Sequence, residues 1–290
     1  MPETIGFIGL GVMGEPICRN LLRKSGSKVL VFDLASEPLD RIVADGASAA
    51  KSVADVVGGC EVVFLCLPSA KHGLSAFESG ILPAITRGQT VIDLGTSEVG
   101  LTRDFARRLA EKSALWIDAP IARTRQAAQD GTLSVMVGAT PGQFATVEPL
   151  IRHFATDVTL CGGTGAGQVT KILNNMVLFE TVNALAEAVA IARHSGVDPK
   201  LLLETLSKGS ADSFALRNHG LKAIIPDEFP LRAFSTEYAL KDLGYALELG
   251  AQAGLHLRGA ALVRTIFEEA IGKGMGDAYF PVIARLVDPK

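Results

Sequence analysis

The chain has 290 residues, 48% of them hydrophobic and 20% charged, with a formal net charge of -3. That length allows one large or two ordinary domains with a sizeable core. No long basic run is present, which argues against a nucleic-acid partner, since phosphate binding needs clustered Lys and Arg. The four cysteines, Cys18, Cys60, Cys66 and Cys161, have no C-x-x-C spacing, so free thiols in a cytoplasmic protein without disulfides are expected. The first residues run directly into a strand without a basic leader, so no signal peptide is expected. The apolar runs near the N-terminus and at 61–68 fall well short of the roughly 20 residues of a bilayer span.

In chain order, residues 4–8 read as a strand buried on both faces and 14–24 as a helix with Ile17, Leu21 and Leu22 on one side. Residues 28–32 form the next strand, and a helix follows near 37–45. Residues 61–67 and 90–94 are further buried strands, with a helix over 98–112. Shorter strands are expected at 114–117, 132–137 and near 157–160. Strands alternating with helices predict βαβ units around a mostly parallel sheet. After Cys161 the pattern becomes helical throughout: 165–194, 199–207, 235–254, 258–273 and 278–287. The predicted organisation is an N-terminal α/β domain over 1–163 and an all-α domain over 164–290.

Gly9-Leu10-Gly11-Val12-Met13-Gly14 is a G-x-G-x-x-G turn that follows a strand and opens a helix, the context of a Rossmann-type dinucleotide site. Gly9 would make the tight turn, Gly11 would admit a pyrophosphate, and Gly14 would let helix and strand pack closely. Val12 and Met13 complete the phosphate turn. Asp33 ends the second strand 19 residues after Gly14. A carboxylate there accepts hydrogen bonds from a ribose 2′-hydroxyl and repels a 2′-phosphate, and no Arg follows closely. NAD is therefore predicted over NADP.

Three later segments, taken with this turn, resemble the β-hydroxyacid dehydrogenase family, and the resemblance covers essentially the whole chain. Gly165-x-Gly167-x-x-x-Lys171-x-x-x-Asn175 matches the family's glycine–lysine–asparagine motif. Lys171 and Asn175 are four apart and share a helix face. Lys171 stands near a helix N-terminus, whose positive potential lowers a lysine pKa. The resemblance implies that Lys171 is the catalytic acid/base and that Asn175 orients the substrate oxygen or the amine.

Asp118-Ala119-Pro120-Ile121-Ala122-Arg123-Thr124, running on to Gly131-Thr132-Leu133, is similar to the family's substrate segment. It departs where many members have Ser-Gly-Gly. Arg123 and Thr124, with Asn174, look like the anion site of the sulfolactaldehyde and succinic semialdehyde reductase branch. An Arg fork suits a carboxylate, sulfonate or phosphate. Leu178 is apolar where that branch has a hydroxyl, which favours a carboxylate. Lys241-Asp242-Leu243 resembles the family's C-terminal motif, whose Lys reaches the cofactor. Leu67, Pro68 and Thr96 match positions beside the nicotinamide half, although Gly95 replaces the usual Ser.

The five histidines show no metal spacing, and no metal is predicted. The resemblance implies an NAD-dependent enzyme interconverting a small semialdehyde acid and its hydroxy acid. Sulfolactaldehyde reduction is one alternative, and a non-catalytic dinucleotide sensor is another of a different kind. The partner would be a small anionic aldehyde or hydroxy acid, with neither nucleic acid nor membrane. The Ala- and Leu-rich helices imply a homodimer or homotetramer, as in the family.

Overall fold

Short runs of Val, Ile, Leu and Phe form the sheet of this protein, for which a computed structural model describes residues 2–231 and 233–289. Six strands are parallel: β1 (Thr4–Ile8), β2 (Lys28–Phe32), β3 (Ser48–Ala49), β4 (Val62–Leu65), β5 (Thr90–Asp93) and β6 (Leu115–Asp118). Three more complete the sheet: β7 (Ile121–Ala122), β8 (Leu133–Gly138) and β9 (Ala155–Gly162). The order is β3-β2-β1-β4-β5-β6-β8-β7; β8 is antiparallel to β6 and β7, and β9 lies parallel to β8.

Alternation decides which side each residue serves. Ile5, Phe7 and Phe64 pack into one core, while Ile8, Val63 and Leu65 pack into the other. The first core takes α1 (Gly14–Lys24) and α8 (Pro141–Ile151). The second takes α3 (Val53–Gly59) and α6 (Val99–Ala110), and in it Phe77 stacks on Phe105 at 4.0 Å between ring centres. The remaining helices of this half are α2 (Ser36–Ala44), α4 (Ala70–Ala76), α5 (Leu82–Ala84) and α7 (Arg125–Asp130). A π-helical stretch, Phe77–Ile81, joins α4 to α5.

Two of the elements missed in the sequence reading carry plain start signals. Thr140 and Gln143 form a reciprocal capping box with Pro141 in the first turn of α8. Thr124, expected to meet substrate, caps α7 by accepting from the Ala127 amide.

Beyond Gly165 the described chain is helical: α9 (Ala166–His194), α10 (Pro199–Leu206), a π-helical stretch Leu216–Ile224, α11 (Thr236–Gln252) and α12 (Arg258–Gly272). The region predicted as one helix over 278–287 is instead a 3₁₀ turn, Phe280–Ile283, followed by α13 (Ala284–Val287). The core here is aromatic, with Phe179 edge-on to Phe267 and Phe280 at 5.4 and 5.1 Å. Helix α9 is long and apolar enough by length and composition to cross a bilayer, but half of its most apolar window is buried within the chain, as in the core helix of a globular protein.

Contacts divide the chain into two compact units, Met1–Lys171 and Ile172–Lys290. The division lies inside α9, eight residues beyond the predicted boundary. The first turn of α9 belongs with the sheet because Asp118 and Gln168 hold it there, as described below.

Candidate active site

The carboxyl ends of β1, β2, β4, β5 and β6 carry most of the residues singled out above. Strand order reverses between β1 and β4, so the loops after them part and leave the crevice where α/β sheets bind ligands. Gly9 adopts φ +94°, and a Cβ there would lie 2.4 Å from the Cys66 carbonyl oxygen. A Cβ on Gly14 would lie 2.0 Å from the Gly9 carbonyl oxygen. Gly11 has nothing within 4 Å of where its Cβ would stand, which leaves open space over the turn. No side chain caps α1; in its first turn Pro16 has no amide hydrogen and the Glu15 and Ile17 amides donate to the Gly11 and Met13 carbonyls, so an anion would meet the amides of the turn ahead of them. This cradle fits a dinucleotide pyrophosphate.

Asp33 builds the turn as well as flanking it. Its carboxylate accepts from the Leu10 amide at 2.5 Å and from the Ala35 amide at 2.7 Å. Each oxygen keeps a further lone pair for a ribose hydroxyl. Cys66 is a neighbour of the turn, but burial pushes its thiol up to about 12, so it is no nucleophile.

A cavity of about 260 Å³ opens beside Leu10, Gly11 and Val12 and is walled by Arg19, Arg41 and Arg125. Glu15 balances two of these guanidinium groups: Arg19 at 3.0 Å and Arg41 at 2.8 Å. Those hydrogen bonds from Arg41 and Arg19 hold the Glu15 carboxyl below its ordinary range. The sequence reading missed this basic wall because Arg19 and Arg41 sit on separate helices.

The loops after β5 and β6 hold the start of α9. Asp118 is fully buried; its Oδ1 accepts from the Gly165 amide at 2.8 Å and its Oδ2 from the Gln168 amide at 3.0 Å. Gly138 and Gly167 lie so close that a Cβ on either would strike this carboxylate. Gln168, also fully buried, accepts from the Ser97 amide at 3.0 Å and donates to the Gly95 carbonyl at 2.8 Å. Thr96, 9% exposed, lies between those two contacts. Burial raises the Asp118 carboxyl despite its amide donors, and it raises Asp93 to about 7. Lys171 follows Gln168 by three residues and is 9% exposed. The N-terminus of α9 is therefore occupied by a carboxylate, a counterweight to the helix potential that the sequence reading assigned to Lys171.

Within the second unit, Asn175 is 1% exposed and donates to Asp242 Oδ2 at 2.7 Å. Lys241 Nζ lies 3.1 Å from Asp242 Oδ1 and 3.8 Å from the Tyr238 ring centre, a cation–π contact. Asp242, to which the sequence alone assigns no role, is buried between Asn175 and Lys241. Because a carboxylate only accepts, Asn175 must turn its amine to Asp242, and its oxygen accepts from Asn174 at 3.1 Å. Asn174 itself is exposed.

Arg123 is engaged within its own chain. Its guanidinium donates to the Thr132 carbonyl at 2.6 Å, to Thr156 Oγ1 at 3.1 Å and to Asp157 at 2.7 Å. Three hydrogen bonds tie it to its own chain, and its charge is balanced by Asp157. Arg123 also has φ +86°, a backbone conformation suited to the glycine that the resemblance leads one to expect. Leu178 is packed against the aromatic core. Among the described residues, no group of three or more His, Cys, Asp or Glu is placed to hold a metal ion.

A glycine cradle at the switch point of a parallel sheet, with an acid ending β2, defines a nicotinamide-dinucleotide-binding oxidoreductase fold. Residues 4–163 match the family profile of the NAD binding domain of 6-phosphogluconate dehydrogenase. Residues 165–287 match the NAD-binding family of NADP-dependent 3-hydroxyisobutyrate dehydrogenase. The chain is 34% identical to 2-(hydroxymethyl)glutarate dehydrogenase of Eubacterium barkeri, covering 94% of this chain and 90% of that one. It is 32% identical to NAD-dependent L-serine dehydrogenase of Pseudomonas aeruginosa, covering 99% and 98%. Among solved structures, Mycobacterium tuberculosis 3-hydroxyisobutyrate dehydrogenase with L-serine superposes with a TM-score of 0.90 at 26% identity, over 99% of this chain and 100% of that one. The chain belongs to the β-hydroxyacid dehydrogenase family.

Proposed function

We propose that this protein interconverts a small semialdehyde acid and its hydroxy acid, with Lys171 as the acid/base. The observation that carries the reading is a buried lysine at the start of α9, three residues past the clamp made by Asp118 and Gln168. An ammonium held there can donate its proton to a carbonyl oxygen, and the amine can take one back from a hydroxyl. Bound NADH or NAD+ supplies or accepts the hydride. Gly9, Gly11, Val12, Met13 and Gly14 would hold its pyrophosphate. Asp33 would hold its ribose, favouring NAD over NADP. Leu67, Pro68, Thr96 and Lys241 would line the remainder. Asn175, fixed by Asp242, presents its oxygen as an acceptor for an ammonium or hydroxyl proton.

The relatives' names narrow the substrate class. 2-(Hydroxymethyl)glutarate, L-serine and 3-hydroxyisobutyrate share a primary alcohol two bonds from a carboxylate and differ in the substituent at carbon 2. That shared unit supports a 2-substituted 3-hydroxypropanoate and its 3-oxo acid as the substrate class. The engaged guanidinium of Arg123 and the apolar Leu178 give no support to a sulfonate substrate. The protein would act as a homo-oligomer in the cytoplasm, and a monomer in light scattering would overturn the first of these.

The test follows absorbance at 340 nm with a panel of 3-hydroxy and 4-hydroxy acids and their semialdehydes. One 3-hydroxy acid should be turned over well above the rest. Lys171→Ala should lower kcat by roughly 10²–10⁴ and leave NADH affinity nearly unchanged. Equal loss of both would sink the acid/base assignment. Tight NADH binding without turnover of any panel member would favour the sensor reading.

A further inference from the structure

We propose that Asp118 is a positioning residue for Lys171: by holding the first turn of α9, it sets both the place of the lysine and the electrostatic potential around it. The inference rests on Lys171 being the acid/base. Three observations carry it. The carboxylate is fully buried and takes the Gly165 and Gln168 amides, two of the groups that make a helix N-terminus positive. Gly138 and Gly167 have no side chains that could separate the carboxylate from those amides, and a Cβ on either would collide with it. Gln168 then ties the same turn to Gly95 and Ser97, so the turn cannot tilt without breaking buried hydrogen bonds on two loops.

The charge matters as much as the bonds. A bare helix N-terminus disfavours an ammonium one turn away, whereas a buried carboxylate in the same place favours it. Asp118 would therefore keep Lys171 in the proton-donating form to a higher pH than the helix alone allows. Other charged groups face this region. Asp93 on β5 raises no objection, because its charge has the same sign and acts in the same direction once it ionises near 7. Arg103 on α6 reaches the Thr164 carbonyl at 3.4 Å, and its positive charge works in the opposite direction from an exposed position.

The test is the pH profile of kcat for aldehyde reduction in Asp118→Asn, which keeps the shape and one acceptor oxygen but removes the charge. In the wild type, kcat should fall as pH rises through the Lys171 midpoint. In the variant that limb should move down by about one pH unit, the ordinary spread of a side-chain pKa in folded proteins. At the wild-type midpoint the variant, with each enzyme scaled to its own plateau, should then be about fivefold slower than the wild type, while KM for NADH stays within about twofold. A merely structural role would lower kcat at every pH and leave the limb in place, and that outcome overturns the proposal. Should the Asn variant fail to fold, Asp118→Ser, whose hydroxyl and an admitted water can serve the same amides, carries the same test. Lys171→Ala separates the two levels of the argument. If its profile keeps the limb, the acid/base reading fails. If it loses the limb while Asp118→Asn leaves it unmoved, only the present inference fails.

Discussion

The two units bury their polar groups in opposite ways. In the first, carboxylates are buried at the ends of parallel strands: Asp93 and Asp118 are neighbours on β5 and β6, and burial raises both. In the second, beside Asp242 with its Asn175 and Lys241 partners, a base is buried as well. His219 sits among Phe280, Phe214 and Tyr279, bonded to the tyrosine hydroxyl at 2.5 Å, and burial lowers it to about 4. Strand ends collect acids because loop amides are there to solvate them, as the Gly95 amide does for Asp93. A helical core has its amides already paired, so an imidazole survives there only in its neutral form. The sheet unit can thus carry charge at a site, while the helical unit, among its described residues, packs around the neutral His219 and the paired Asp242.

This contrast has a sign that can be checked. Asp93 is raised above its unfolded value, so its contribution to stability is complete below about pH 3.8 and is lost as pH rises through 7. The shift corresponds to roughly 4 kcal/mol at pH 8. Asp93→Asn should raise Tm at pH 8, with a gain that vanishes by pH 4; an equal gain at both pH values would contradict the buried-acid account. His219 is lowered, so its contribution is present above about pH 6.5 and drains away as pH falls toward 4. That amounts to roughly 3 kcal/mol. Hydrogen exchange resolved by unit should show the helical unit opening first as pH drops below 6, and simultaneous loss of protection in the sheet unit would blur the comparison.

The glycine turn sharpens the comparison next. Gly14→Ala forces a Cβ into the Gly9 carbonyl and should cost about 3 kcal/mol of stability in the cofactor-free protein. Gly11→Ala meets nothing and should leave stability within about 1 kcal/mol. It should still weaken NADH binding at least tenfold, read by fluorescence titration. Were Gly11→Ala to bind NADH normally, the open space over the turn would have another purpose. The smallest effect is expected at Arg123. Replacing it with Gly relieves a left-handed backbone, worth about 1–2 kcal/mol, and removes a half-exposed ion pair with Asp157, worth about 0–1 kcal/mol. Stability should change by less than about 2 kcal/mol, and KM for the aldehyde by less than about threefold. A tenfold rise in KM would return the guanidinium to the substrate.

Legibility in the sequence followed distance along the chain. Gly9, Gly14 and Asp33 could be read directly because the turn and its supports lie within one βαβ unit. The helices after Asp198 and Ser235 were equally plain, since each begins with a side chain that caps its own first turn. Lys171 and Asn175 stood out only through resemblance, for a lysine and an asparagine four apart are ordinary on any helix surface. The ion pair of Arg123 was not legible locally, because its partner, Asp157, comes 34 residues later.

The contacts that no local pattern announces are those between remote partners. Asp118 meets Gln168 across 50 residues, and Asn175 meets Asp242 across 67. By itself the sequence determined the alternation of strand and helix, the phosphate turn and the acid beside it, because hydrophobic period, glycine conformation and strand-end placement are local properties. Only the tertiary structure decided which buried charges face which amides. Desolvation and hydrogen-bond partners depend on what the folded chain brings alongside a group, and neither is written in the residues next to it.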